Sequence, residues 1–280
     1  MMEVILDCYL TGKMESKKQS SPERMLELEN SYFEVQAYWG MTKHMGGLKA
    51  TEKLVELCHV NQDKYVLVVG CGVGVTPCYL ARRHGCRVVG VDLSEKMIYR
   101  SKERAKRAGV ENEVEFRMAD AQNLPFKDTT FDTVICESVN AFIENKPKAL
   151  SEYVRAIKPG GYVGLNEVTW LKTPPQKLVA YLYRIMGAEF LTGNGWKELL
   201  EGSGLRETAA LVYKTNAVSQ WISEVRQFEF RDFIRAWGRY FYMFMKSPAY
   251  RRFTKEVLTF PRSVLSLFKY FGYGLYVGRK

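Results

Sequence analysis

Residues 65–77 read Tyr-Val-Leu-Val-Val-Gly-Cys-Gly-Val-Gly-Val-Thr-Pro. A β-branched apolar run stops at three glycines on alternate positions, Gly70, Gly72 and Gly74. Glycine lets the backbone turn tightly and lets a ligand approach it closely. Thr76 is placed to cap a following helix, and Pro77 suits its first turn. Strand, glycine turn and helix N-terminus together are how an α/β sheet makes a nucleotide site at the carboxyl end of its first strand. A dinucleotide fingerprint places its third glycine five residues after the first. Here that position is Val75, and the spacing is GxGxG.

At 280 residues the chain is long enough for one sizeable α/β domain with a cap. Its six cysteines (8, 58, 71, 78, 86 and 136) are scattered without a CxxC pair, which argues for a reducing, cytoplasmic setting and against a disulfide or zinc framework. The three histidines, His44, His59 and His84, do not cluster, so no metal site is expected. No apolar run approaches the ~18 residues of a membrane span. The N-terminal residues carry acids within a short apolar stretch, unlike the basic start of a signal peptide. The net charge of +10 is uneven: residues 217–280 hold 12 Lys/Arg against 4 Asp/Glu.

Residues 1–22 read as a polar, flexible leader, and residues 23–60 as an N-terminal helical cap interrupted by the aromatic, glycine-rich stretch 38–47. From Tyr65 strands and helices alternate. This predicts an α/β fold, a parallel sheet with helices on both faces. Strands are expected at 65–69, 87–91, 113–117, 132–136, 162–168 and 207–214, the fifth entered through a Lys158-Pro159-Gly160-Gly161 turn. The core is thus 61–216. A basic, aromatic helical insertion follows at 217–271, and 272–280 supplies the final strand.

Further motifs follow the glycine loop in order. Asp92 ends the second strand, 22 residues after Gly70, where a carboxylate can accept both hydroxyls of a ribose or can cap the helix after Ser94. Leu93 and Met97 come next, then Ala119-Asp120-Ala121, Leu124-Pro125-Phe126, Phe131-Asp132, and Glu137-Ser138 just past the fourth strand. This series resembles the class I S-adenosylmethionine (SAM) methyltransferases, and within them the ubiquinone- and menaquinone-type and sterol-type enzymes. The resemblance covers about residues 60–215 and the final strand, and it implies a Rossmann-like, seven-stranded, mostly parallel sheet whose last strand is 272–280. It implies SAM as cofactor. Gly70, Cys71, Gly72 and Gly74 would lie under the methionyl part and ribose, and Asp92 would take the ribose hydroxyls. Leu93 and Met97 would cover the adenine, and Asp120 and Ala121 would bind its edge. Glu137 and Ser138 would stand where donor and acceptor meet. An acid often precedes the first glycine by two residues in this class; here Val68 stands there, which hands the methionine ammonium to Glu137 or to backbone carbonyls.

The resemblance implies methyl transfer to a small-molecule or lipid-like acceptor by in-line displacement. Tyr38, His44 and Glu167 are the acceptor-side candidates: Tyr38 and His44 in an aromatic segment that can fold over the cofactor, Glu167 at the end of the fifth strand, facing the cleft or holding a salt bridge or cap. A non-catalytic SAM-binding sensor or assembly factor is the rival reading, kept open by Val68. RNA methylation is less favoured, because Glu137-Ser138-Val139-Asn140 stands where nucleic-acid enzymes of the class usually carry an Asn/Asp-Pro-Pro-Tyr-like motif. The insertion, with Arg231, Arg235 and Arg239 beside Phe233, Trp237 and Phe241, reads as a packed cap, as a lid touching anionic membrane, or as a surface for single-stranded nucleic acid.

Overall fold

The computed structural model describes residues 36, 44–216, 218–220, 230–248, 250–251, 254–255 and 264–280. The leader and Tyr38 lie outside the described residues, as do the side chains of Arg231 and Phe233.

β1 (Tyr65–Val69) shows how the sequence pattern becomes layers. Side chains alternate across a strand. Val66 and Val68 pack on one face with Leu54 and Cys58 of α1 (Gly47–Leu57) and its C-terminal end, Leu80 of α2 (Val75–His84) and Ile98 of α3 (Glu95–Ala108). Leu67 and Val69 pack on the other with Leu150 and Tyr153 of α4 (Lys146–Ala156) and with Trp196 and Leu200 of a later helix. An all-apolar strand is what burial on both faces requires.

The remaining strands are β2 (Arg87–Asp92), β3 (Val114–Met118), β4 (Phe131–Glu137), β5 (Ile157–Trp170), β6 (Leu191–Thr192), β7 (Arg206–Lys214) and β8 (Phe271–Arg279). The sheet runs β3-β2-β1-β4-β5-β8-β7. β1 to β5 pair in parallel, and β8 inserts antiparallel between β5 and β7. The expected seven-stranded, mostly parallel sheet is therefore present. The two-residue β6, paired with the end of β5, was not expected. Two further helices, α5 (Gln176–Met186) and α6 (Gly193–Gly202), separate β5 from β7. The chain between β7 and β8 contains α7 (Phe230–Lys246).

Two local expectations change. β5 starts earlier than residue 162, because Ile157 already pairs with Phe131. The Lys158–Gly161 turn is a break in register before Thr133 meets Tyr162, with Gly160 at φ 77°. Thr76 does not cap α2. Gly74, at φ 78°, is the capping residue, and Thr76 sits inside the first turn with its hydroxyl turned to Glu137. Asp132 pins the lower end of the sheet, accepting from the Tyr65 backbone N–H at 2.9 Å and from Lys158 Nζ at 3.0 Å.

Among the described residues no helix is long and apolar enough to cross a membrane. No cluster of three or more potential metal ligands occurs among them.

Trp196 of α6 is fully buried beside Tyr276 and donates its indole N–H to the Val168 carbonyl at 3.1 Å. Truncating such a residue leaves a large void. Trp196→Ala should lower the unfolding free energy by about 3–5 kcal/mol, read from urea denaturation curves.

Candidate cofactor site at the strand ends

The glycine loop leaves β1 with Gly70, Gly72 and Gly74 at φ 68°, 53° and 78°, a region that side-chain-bearing residues rarely enter. A Cβ on Gly70 would run into the Val139 side chain, and one on Gly74 would lie 3.0 Å from Ser101. The loop is held from outside. Cys71 N–H donates to the Val91 carbonyl at 2.8 Å. Ser101 Oγ donates to the Gly72 carbonyl at 2.7 Å, and Arg104 Nε to that of Val73 at 2.9 Å.

Asp92 closes this half of the site. Its Oδ2 accepts from Gly72 N–H at 2.9 Å and its Oδ1 from Ser94 N–H at 3.0 Å. Burial pushes its carboxyl up from the ordinary value, against the pull of these backbone donors. Its carbonyl accepts from Ala119 N–H at 3.1 Å, which brings Asp120 alongside. Asp120 Oδ1 in turn accepts from Gln122 N–H at 2.9 Å. The structure thus gathers Gly70, Gly72, Gly74, Asp92, Asp120 and Ala121 at the C-terminal ends of β1, β2 and β3. Leu93 is open to solvent at 70% exposure. Met97 is buried in a small cluster with Val73 and Val75. The Cys71 side chain is also buried, and burial pushes its thiol well up.

The other half forms between β1, β4 and α1. Glu137 ends β4 and is buried. Its Oε1 accepts from Thr51 Oγ1 at 2.9 Å and Asn166 Nδ2 at 3.3 Å, and its Oε2 from Thr76 Oγ1 at 2.6 Å. His44 Nε2 lies 3.0 Å from Thr51 Oγ1 and 3.8 Å from Glu137 Oε1. A carboxylate only accepts, so Thr51 must spend its single hydroxyl hydrogen on Glu137. The His44 ring must then donate to Thr51 from Nε2. Among the described residues no lysine or arginine pairs with Glu137. A cavity of about 30 Å³ opens here, lined by His44, Val68, Gly70, Cys71, Val75, Thr76 and Glu137.

Residues 44–47 lie across these strand ends. Met45 N–H donates to Ser138 Oγ at 3.3 Å, and Asn166 Nδ2 donates to the Met45 carbonyl at 2.8 Å. Gln220 reaches over to accept from Gly46 N–H at 3.2 Å and to donate to the His44 carbonyl at 3.3 Å. Thr51 and Gln220 carried no sequence signal, since both contacts depend on chain crossings far apart in sequence.

Glu167 does not face the cleft. It is fully buried, and its Oε1 accepts from the backbone N–H groups of Val139 at 3.1 Å and Asn140 at 2.8 Å, and from Asn140 Nδ2 at 3.0 Å. It holds the turn after β4, where Ser138 takes a positive φ of 57°. Its other oxygen, Oε2, has no hydrogen-bond partner. The acceptor-side reading of Glu167 is therefore corrected to a positioning one. Burial raises its pKa to about 7.

A family model described as a methyltransferase domain matches residues 67–165, which hold the glycine loop, Asp92, Asp120 and Glu137. Residues 67–165 therefore form a methyltransferase domain of the class I SAM-dependent type. Its cofactor is accordingly SAM. A protein of Haemophilus influenzae is 34% identical over 58% of this chain and 66% of its own length. The phosphoethanolamine N-methyltransferase 3 of Arabidopsis thaliana is 28% identical over 69% of this chain and 42% of its own length. The chain thus spans less than two thirds of these relatives. The Haemonchus contortus phosphoethanolamine N-methyltransferase 2, solved with phosphomonomethylethanolamine and S-adenosylhomocysteine, shares the fold at TM-score 0.69 and 18% identity, over 91% of this chain and 59% of that one.

The raised Glu167 pKa sets a pH dependence. The folded chain holds that proton to about pH 7, whereas the unfolded carboxyl releases it near 4.5. The native state binds more protons between those values, so stability falls as pH rises through the window. The loss should be on the order of 3 kcal/mol. Glu167→Gln keeps an acceptor for the turn and should flatten the dependence, measured as urea midpoints across that pH range.

Proposed function

We propose that the chain moves the SAM methyl group to a small-molecule acceptor, lipid-like acceptors included. One observation carries the reading: a single cavity has the glycine loop on one side and, on another, a buried carboxylate without a lysine or arginine partner among the described residues. At about 30 Å³ the cavity has room for the cationic end of a ligand but not for a nucleoside, which would lie outside it along the strand ends at Asp92 and Asp120. Val68, where the class often carries an acid, lines the same cavity. Val68 pairs with Ile135 across β1 and β4, which puts Glu137 two residues further along the neighbouring strand. Glu137 would supply from β4 the charge that β1 lacks. Asp92 keeps lone pairs beyond its two backbone bonds and would accept the ribose hydroxyls.

SAM supplies a methyl group on a sulfonium whose departure leaves a neutral thioether. The chain's own residues then have to position and exclude water. Holding donor and acceptor in line supplies roughly 7–11 kcal/mol of the barrier reduction. The groups at the cavity already have assignments: Glu137 accepts three hydrogen bonds and His44 donates from Nε2. A free-base amine is nucleophilic without a general base, and an ammonium acceptor would lose its proton before the transfer. The names of the plant and nematode enzymes above support a phosphorylated amino alcohol as the first acceptor to try. The five described cysteines are free and buried, which fits a reducing compartment.

Calorimetry separates the parts of this reading. Wild type should bind S-adenosylhomocysteine. Glu137→Gln should weaken that binding at least tenfold and leave 5′-methylthioadenosine, which lacks the amino-acid end, unchanged. Equal weakening of both ligands would refute the ammonium role. Asp92→Asn should weaken both. Wild type should also transfer label from methyl-labelled SAM to phosphoethanolamine or another amine of a panel; binding without any turnover would favour a non-catalytic SAM-binding protein.

A further inference from the structure

α7 turns its apolar face outward. Ile234, Trp237, Phe241 and Met245 recur at helical spacing and are 54%, 39%, 59% and 75% exposed. Tyr242, at 52%, widens the stripe. The opposite face is already occupied. Ala236 is fully buried, the Tyr240 ring lies 5.4 Å from that of Tyr250, and Tyr240 Oη donates to Thr254 Oγ1 at 3.4 Å. A soluble surface does not normally gather so many large apolar side chains in one strip.

The charge beside the strip has one sign. Arg235, Arg239 and Lys246 follow on the next helical edge, and an open groove runs between Arg235, Gly238, Arg239 and Tyr242. Between Asp232 and Glu256 the sequence has six basic residues and no acid. The helix ends with Arg251 donating to the carbonyls of Phe244 and Met245, so its last turn is closed rather than frayed.

We propose that α7 is an interfacial helix that lies on an anionic lipid bilayer, with Ile234, Trp237, Phe241 and Met245 below the headgroups and Arg235, Arg239 and Lys246 among them. The helix is too short and too charged to span, and a strong apolar face with a basic edge is what an interfacial helix requires. Charge complementarity picks this occupant over two others. A second copy on the same face would oppose like charges across a two-fold. A single-stranded nucleic acid would satisfy the arginines but leave Ile234 and Met245 in water, because its bases stack on aromatic faces. The inference does not rest on the acceptor.

The test uses the full chain with vesicles of phosphatidylcholine alone and of phosphatidylcholine mixed with phosphatidylglycerol. Co-sedimentation should be at least tenfold stronger on the anionic vesicles and should weaken with salt. Arg235→Gln with Arg239→Gln and Lys246→Gln should abolish the preference. Phe241→Ser with Met245→Ser should reduce binding to both vesicle types, and Trp237→Phe should remove the blue shift of tryptophan emission that accompanies binding. Unchanged S-adenosylhomocysteine binding in each variant shows that the core is intact. Absence of binding to either vesicle by wild type, equal binding to both, or a dimer in light scattering that the Phe241/Met245 variant dissolves would overturn the proposal. A preference for oligoribonucleotide over anionic vesicles would do so too.

Discussion

The hydrogen bond from Gly72 N–H to Asp92 Oδ2 ties the loop after the first strand to the end of the second. Much else depends on that tie. It fixes a loop whose three glycines all sit at positive φ. Left alone, such a loop would have many conformations to lose on folding. The same residue accepts from Ser94 N–H through its other oxygen and from Ala119 N–H through its carbonyl. One carboxylate and its peptide unit thereby align three strand ends. Its raised pKa marks the cost of holding a partly buried charge there for two backbone donors.

The parts of the site that repeat in every parallel sheet of this kind were readable from the chain. Gly70, Gly72, Gly74, Asp92 and Asp120 lie at strand ends, and strand ends follow from local pattern. Each is brought in by the register of β1, β2 and β3, which apolar runs specify. Glu167 shows where that reasoning stops. Being at a strand's C-terminal end places a side chain near the cleft but does not say which way it points. Its side chain goes sideways beneath the turn at Val139 and Asn140. That turn needs a buried acceptor because its N–H groups have no strand partner.

Val68 is the departure that the structure makes intelligible. A carboxylate at that position and one at Glu137 would crowd like charges into one buried cavity, which is unfavourable. The chain carries a single acid there, on β4, and surrounds it with neutral donors from three elements: Thr51 of α1, Thr76 of α2 and Asn166 of β5. Those donors are absent from any local motif. They converge because α1 lies over β5 and α2 begins where the glycine loop ends.

The segments outside the core meet over this cavity. Gln220 belongs to the stretch after β7, and its amide holds both the His44 carbonyl and the Gly46 N–H. His44 is the residue that donates through Thr51 toward Glu137, and Met45 is held by Ser138 and Asn166. The N-terminal strap is therefore fixed from two sides, by the strand ends below it and by the insertion beside it. A displacement of residues 218–220 would be felt at His44 and Gly46 through the two hydrogen bonds of a single amide, without passing through the sheet. Cofactor chemistry resides in the part of the chain that the sheet makes rigid. Residues 44–47 and 218–220 depend on each other for their position, a tie that no local motif announces, whereas the strand-end motifs announced the donor.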